Sequence, residues 1–201
     1  CDDKPIERYV YFAAQFQPEA SADPESGKFF SNIEVLEQIR KYLPKNYKIV
    51  YKEHPNQFHP KSLWDIYRDK DYYRKLKKIN NLIIVKDTFD SFKLIDNSEM
   101  VITLSGNIGF ESIVRNKPCL IFSKTWYSNF SGIKIIKKYT DLKKFIKFNK
   151  KAINHKKNST DYLKLVNNTF DVKSYLNLNI KLNSDIKKFQ TIVQNYIFES
   201  L

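Results

Sequence analysis

The residues most suited to chemistry lie between Thr103 and Ser112, where the chain reads TLSGNIGFES. Only four glycines occur in 201 residues, and two of them, Gly106 and Gly109, stand three apart here. The apolar run Met100–Leu104 precedes them, and Phe110–Val114 reads as a short helix stopped near Asn116-Lys117-Pro118. Such a turn presents backbone N–H groups and the positive end of a helix dipole, which suits a phosphate. An ordinary tight strand-to-helix turn has the same signature, so this motif alone leaves both readings open. On the phosphate reading, any side chain at Gly109 would intrude where phosphate meets the backbone.

Further candidates follow other apolar runs. After Arg8–Ala14 comes Gln15–Ser21, whose Gln17 and Glu19 offer an amide and a carboxylate. After Tyr47–Lys52 come Glu53, His54 and Pro55. Lys52 and His54 fall on one side of an extended chain, where they would hold a phosphate or protonate a leaving phosphate oxygen. A histidine that only caps the strand end is the competing reading. Glu111 is out of register for a capping box, because three residues after Asn107 is Phe110. It suits a ribose hydroxyl or, equally, the dipole of a first helical turn. After the run Pro118–Phe122 comes Ser123–Tyr127.

These loops need a frame, and the pattern of runs supplies one. Strands are expected at Arg8–Ala14, Tyr47–Lys52, Leu82–Lys86, Met100–Leu104, Pro118–Phe122 and Gly132–Lys137. Helices are expected at Asn32–Leu43, opened by the capping box Ser31/Glu34, and at Trp64–Ile79, Phe89–Ile95, Asp141–Phe148, Asp161–Phe170 and Asp185–Glu199. Asn149–Ser159 reads as an exposed loop. Strands alternating with helices predict an α/β fold: a Rossmann-like parallel sheet of five to six strands, helices on both faces and the first strand central. Ligands then bind beyond the carboxyl ends of the strands, where all four polar loops converge.

Composition sets the remaining bounds. Hydrophobic content of 42% supports a core, and the apolar runs are too short to span a membrane. Residues 1–123 are nearly balanced, whereas 124–201 carry 16 lysines against five acids and no arginine. A solvated lysine surface is the favoured reading of that excess, and contact with an anionic membrane surface or an acidic polymer is the alternative. Without arginine or a recognition motif, nucleic acid is not an expected partner. The start at Cys1, without Met or a signal profile, points to a piece of a longer protein, and two cysteines point to a reducing cytoplasm.

In their order, QFQPEAS, YKEHP, TLSGNIGFES and NKPCLIFSKTWY resemble the capsular polysaccharide biosynthesis glycosyltransferase family, which includes capsule Kdo transferases. The resemblance covers about residues 8–137 and departs at Asn107, where the family has Thr, and at Ser112, where small Ala-type residues are usual. It implies the C-terminal, donor-binding half of a two-domain GT-B enzyme. Residues 1–201 would be one nucleotide-sugar-binding domain, with 138–201 as helices packing on it. The implied activity is glycosyl transfer from a CMP- or UDP-linked sugar to a glycan or glycolipid in surface polysaccharide assembly, in the cytoplasm or at the inner face of its membrane. The implied catalytic residues are His54 and Glu19. The implied substrate-binding residues are Gln17, Lys52, His54, Pro55, Ser105, Gly106, Asn107, Gly109, Glu111 and Ser112. No metal and no cofactor beyond the donor are implied. A CDP-alcohol polyol-phosphate polymer transferase, a sugar-nucleotide epimerase, and a non-catalytic module binding nucleotide or anionic glycan are the rival expectations.

Overall fold

The computed structural model describes residues 8–16, 31–58, 68, 70–146 and 153–169, with side chains to 165. Six parallel strands form one sheet: β1 (Tyr9–Ala13), β2 (Lys48–Lys52), β3 (Leu82–Val85), β4 (Met100–Thr103), β5 (Cys119–Ile121) and β6 (Ile133–Ile135). Their order is β3-β2-β1-β4-β5-β6, so the chain winds outward twice from β1. The seam between β1 and β4 is the topological switch point, where this architecture opens a crevice. The sheet is Rossmann-like, with the first strand central as expected.

Side-chain alternation along β1 builds both cores. Val10, Phe12 and Ala14 face α1 (Asn32–Tyr42) and α2 (Lys70–Lys77), packing with Leu36, Ile39 and Leu76. Tyr9, Tyr11 and Ala13 face α3 (Ser91–Asn97) and α4 (Ile108–Val114), packing with Leu94, Ile95 and Ile113. Strands covered on both faces need continuous apolar runs, which explains why β1 is buried at all five positions.

The helix boundaries follow from capping. Ser31 Oγ accepts from Glu34 N–H at 3.3 Å, opening α1 where the capping signal placed it. At its other end Arg40 donates to the carbonyls of Leu43, Pro44 and Tyr47, closing the exposed last turn. The expected helix at Phe89 begins instead at Ser91, because Asp90 Oδ1 accepts from Phe92 N–H at 2.8 Å. Of the expected Trp64–Ile79 helix, the described residues are helical at α2, which ends two residues early, and Arg68 lies in a bend. The expected Asp141–Phe148 helix is shorter, a 3-10 turn at Tyr139–Asp141 running into α5 (Leu142–Phe145).

The expected loop at Asn149–Ser159 is corrected in its second half, since α6 spans His155–Thr169. Asn154 Oδ1 opens α6 by accepting from Lys157 N–H, and Asn158 fastens it to Ser131 through both amide atoms, at 2.6 and 3.1 Å. Those polar residues build tertiary contacts, which their composition does not reveal. The expected Asp185–Glu199 helix lies outside the described residues. Among the described residues no helix is long and apolar enough to cross a membrane.

Candidate functional site

A cleft of about 890 Å³ opens at the carboxyl ends of the strands. Its walls come from four loops: Gln15 and Phe16 after β1, Glu53–Pro55 after β2, Ser105–Ile108 with Glu111 after β4, and Lys124–Trp126 after β5. A fifth contributor, Ser91 after β3, was not singled out by sequence. The expected convergence of polar loops on one sheet edge therefore holds.

The centre of the cleft is pinned across the switch point. Gln15 Nε2 donates to Ser105 Oγ at 2.7 Å, and Ser105 N–H donates to Gln15 Oε1 at 3.1 Å. This two-way clamp joins the loop after β1 to the loop after β4. Beyond it the turn tightens: Gly109 N–H donates to Gly106 O, and Phe110 and Glu111 N–H to Asn107 O. Gly106, Asn107 and Ile108 line the cleft, and their N–H groups have no acceptor among the described residues. The helix they open, α4, is only seven residues long and starts two residues before the expected Phe110. Asn107 already has helical φ and ψ of −59° and −18°, and its side chain caps nothing. Its Oδ1 instead accepts from Trp126 Nε1–H at 3.2 Å.

Two of the expected binding residues face elsewhere. Gly109 does not line the cleft, and a Cβ there would lie 2.6 Å from Tyr127 Oη and 2.7 Å from Tyr127 Cε2. Its missing side chain makes room for the wholly buried Tyr127, whose hydroxyl donates to Gly106 O. Internal packing against Tyr127, in place of the expected contact with a ligand phosphate, is thus what requires a glycine at 109. Ser112 is buried and donates to Gly109 O at 2.7 Å, so it shapes the helix from behind.

Lys52, His54 and Pro55 do line the cleft. Lys52 is buried, with Nζ donating to Phe89 O at 2.6 Å and Ser91 Oγ at 2.7 Å. An ammonium has three protons, so one remains after this strapping of β2 to the start of α3. Burial pulls the Lys52 ammonium pKa below its ordinary value, against the pull of Asp87 and Asp90. His54 Nδ1 accepts from Asn56 N–H at 3.2 Å, so the neutral ring carries its proton on Nε2. Pro55 starts a 3-10 turn, Pro55–Phe58, a position that needs no N–H. Half-buried Glu111 also lines the cleft, and desolvation raises its carboxyl above the ordinary range. Gln17 and Glu19 lie outside the described residues.

Sequence reasoning missed the group beneath His54. Glu53 is buried, with Oε1 accepting from Arg68 Nε at 2.7 Å and from Tyr51 Oη. Arg68 lies over the Tyr72 ring at 4.3 Å. Burial still raises the Glu53 carboxyl despite that guanidinium. Arg68 falls within the expected Trp64–Ile79 helix, and no local signal announces its pairing with Glu53.

Residues 14–169 match the family described as capsule polysaccharide biosynthesis protein. No curated protein matches in sequence. A beta Kdo 2,7 transferase, KpsC of Thermosulfurimonas dismutans, is 17% identical with a TM-score of 0.50, over 82% of this chain and 57% of that one. UDP-GlcNAc 2-epimerase from Methanocaldococcus jannaschii is 16% identical with a TM-score of 0.54, over 73% and 41%. Anabaena Alr3699/HepE, solved with UDP and glucose, is 10% identical with a TM-score of 0.54, over 83% and 48%. The likeness is one of fold, and this chain spans roughly half the length of each, 41% to 57%.

Proposed function

The chain belongs to the capsule polysaccharide biosynthesis protein family, and from that premise we propose that it is the nucleotide-sugar-binding half of a GT-B glycosyltransferase. The observation that carries this reading is the cleft at the switch point, lined together by Gly106–Ile108, a lysine and a histidine. The donor is CMP- or UDP-linked. Its phosphate meets the N–H groups of Gly106, Asn107 and Ile108 together with the remaining Lys52 proton and His54. Its ribose meets Glu111, and Gln17 and Glu19 act near the donor sugar.

Breaking the glycosidic bond leaves negative charge on the departing nucleotide. Donors already fixed in place stabilise that charge without reorganising during the step. His54, whose Nδ1 is taken by Asn56 N–H, donates its Nε2 proton in a hydrogen bond to the leaving phosphate oxygen. The glycan or glycolipid acceptor and the base that activates it belong to a second domain, so residues 1–201 alone bind nucleotide without transferring sugar. The exposed lysines Lys134, Lys137, Lys138, Lys143 and Lys144 on the β6 side suit peripheral contact with an anionic membrane.

Calorimetric titration of the 201-residue chain with cytidine, CMP, CDP and UDP tests the reading. Binding of the phosphorylated ligands above cytidine is expected. A folded chain that binds none of them overturns it.

A further inference from the structure

We propose that Trp126 is the platform on which the nucleobase of the donor stacks, an inference that rests on the nucleotide reading above. The described residues expose four large aromatic side chains, Phe58, Phe89, Phe92 and Trp126, and of these only Trp126 lines the cleft. It is 45% exposed although it carries the largest apolar surface of the four. A tryptophan left half open at the mouth of a polar cleft offers a face to something planar or apolar.

The ring is held ready for that. Phe110, Tyr127, Phe130 and Tyr162 surround it with centroids 4.8, 5.2, 5.9 and 6.0 Å away. Its single polar atom is already bonded to Asn107 Oδ1. Trp126 therefore presents a fixed π surface with no hydrogen bond left to give. Little side-chain freedom remains to be lost on binding.

Strand order selects the base over the sugar. Along the edge of the sheet the loops run from β2 through β1 and β4 to β5, that is from His54 through Gln15 to Ser105–Ile108 and then Trp126. A phosphate held between His54 and the β4 turn leaves two directions for the rest of the donor. The β1 side carries Gln15 and Phe16, continuous with the polar residues assigned to the sugar. The β5 side carries Trp126, one hydrogen bond from the turn. Because every base has a π face, the platform accepts pyrimidine and purine alike, and base selection falls to other groups.

The test uses Trp64→Phe chain, in which Trp126 is the only tryptophan. Its fluorescence is followed while cytidine, CMP, UMP and ribose 5-phosphate are titrated, with calorimetry in parallel. CMP and UMP are expected to quench Trp126 and ribose 5-phosphate to bind without quenching. Trp126→Leu should weaken CMP roughly five- to hundredfold and leave ribose 5-phosphate unchanged, while Trp126→Phe restores most of the loss. CMP binding without quenching, or Trp126→Leu weakening CMP and ribose 5-phosphate equally, overturns the platform while the nucleotide reading stands. Absence of binding by any ligand overturns both.

Discussion

Replacing Gly109 with Ala tests whether this glycine serves the ligand or the fold. The added Cβ would sit 2.6, 2.7 and 2.9 Å from Tyr127 Oη, Cε2 and Cζ, all inside contact distance. Tyr127 has no free space to retreat into, being wholly buried and edge-on to Trp126. Overpacking of this kind costs about 1–3 kcal/mol. Moving the ring also endangers the hydroxyl's bond to Gly106 O, worth about 0.5–1.5 kcal/mol. Ala regains at most about 0.5–1 kcal/mol of helix propensity. The net loss is about 1–3 kcal/mol, or roughly 3–10 °C in Tm for a chain of this size. Urea denaturation of Gly109→Ala, Tyr127→Leu and the double variant measures the coupling. Since Leu lacks the offending ring atoms, the double variant should be at least about 1 kcal/mol more stable than the singles predict. Gly109→Ala as stable as wild type, or strictly additive with Tyr127→Leu, would refute the packing argument. A loss of CMP affinity at unchanged stability would restore the direct steric role.

His54→Ala should weaken CMP by about 1.5–3 kcal/mol, tenfold to hundredfold, and cytidine much less, since a charge-assisted bond to phosphate is removed; equal losses in calorimetry would count against the phosphate role. Arg68→Met leaves the buried Glu53 carboxylate without its guanidinium, so urea denaturation should show a loss of about 3–5 kcal/mol. The Glu111 carboxyl is raised by desolvation, so the folded state holds its proton longer than the unfolded state. Its contribution to stability therefore falls as pH rises from the ordinary carboxylate range through the raised value. Glu111→Gln should flatten that fall, read as Tm against pH. Co-sedimentation with vesicles rich in anionic phospholipid should decline with salt, and Lys143→Glu/Lys144→Glu should weaken it; insensitivity to both would exclude a lysine-driven contact.

The sheet was legible because fully buried parallel strands leave short apolar runs bounded by turn residues, as in Met100–Thr103 and Cys119–Ile121. Helix α1 was legible because Ser31 and Glu34 are a local signal realised locally. The errors occur where a residue's partner is remote. Asn158 looked like loop composition because its partner is Ser131, and α3 was started too early because apolar Phe89 outweighed the cap at Asp90. The same division runs through the site. His54 and Ser105 could be placed on one edge from strand order alone. What Gly109 makes room for, or what Glu53 is bonded to, depends on Tyr127 and Arg68, which no local spacing connects to them.

The charge of the chain and the chemistry of its cleft are separate properties. Among the described residues two lysines, Lys52 and Lys124, line the cleft, and so do two glutamates, Glu53 and Glu111, whereas the net charge of the chain is +13. Attraction of a phosphate into a cleft so nearly balanced has to come from oriented N–H groups and single charge-assisted bonds. Those act over short range in a partly desolvated space, where salt screens poorly. The lysines of residues 124–201, exposed where described, act over a Debye length and are screened readily. Rising ionic strength should therefore remove membrane attraction well before it removes nucleotide affinity. A lysine surface that served the nucleotide would lose both together, and that contrast separates a donor site with its own local chemistry from a general affinity for anions.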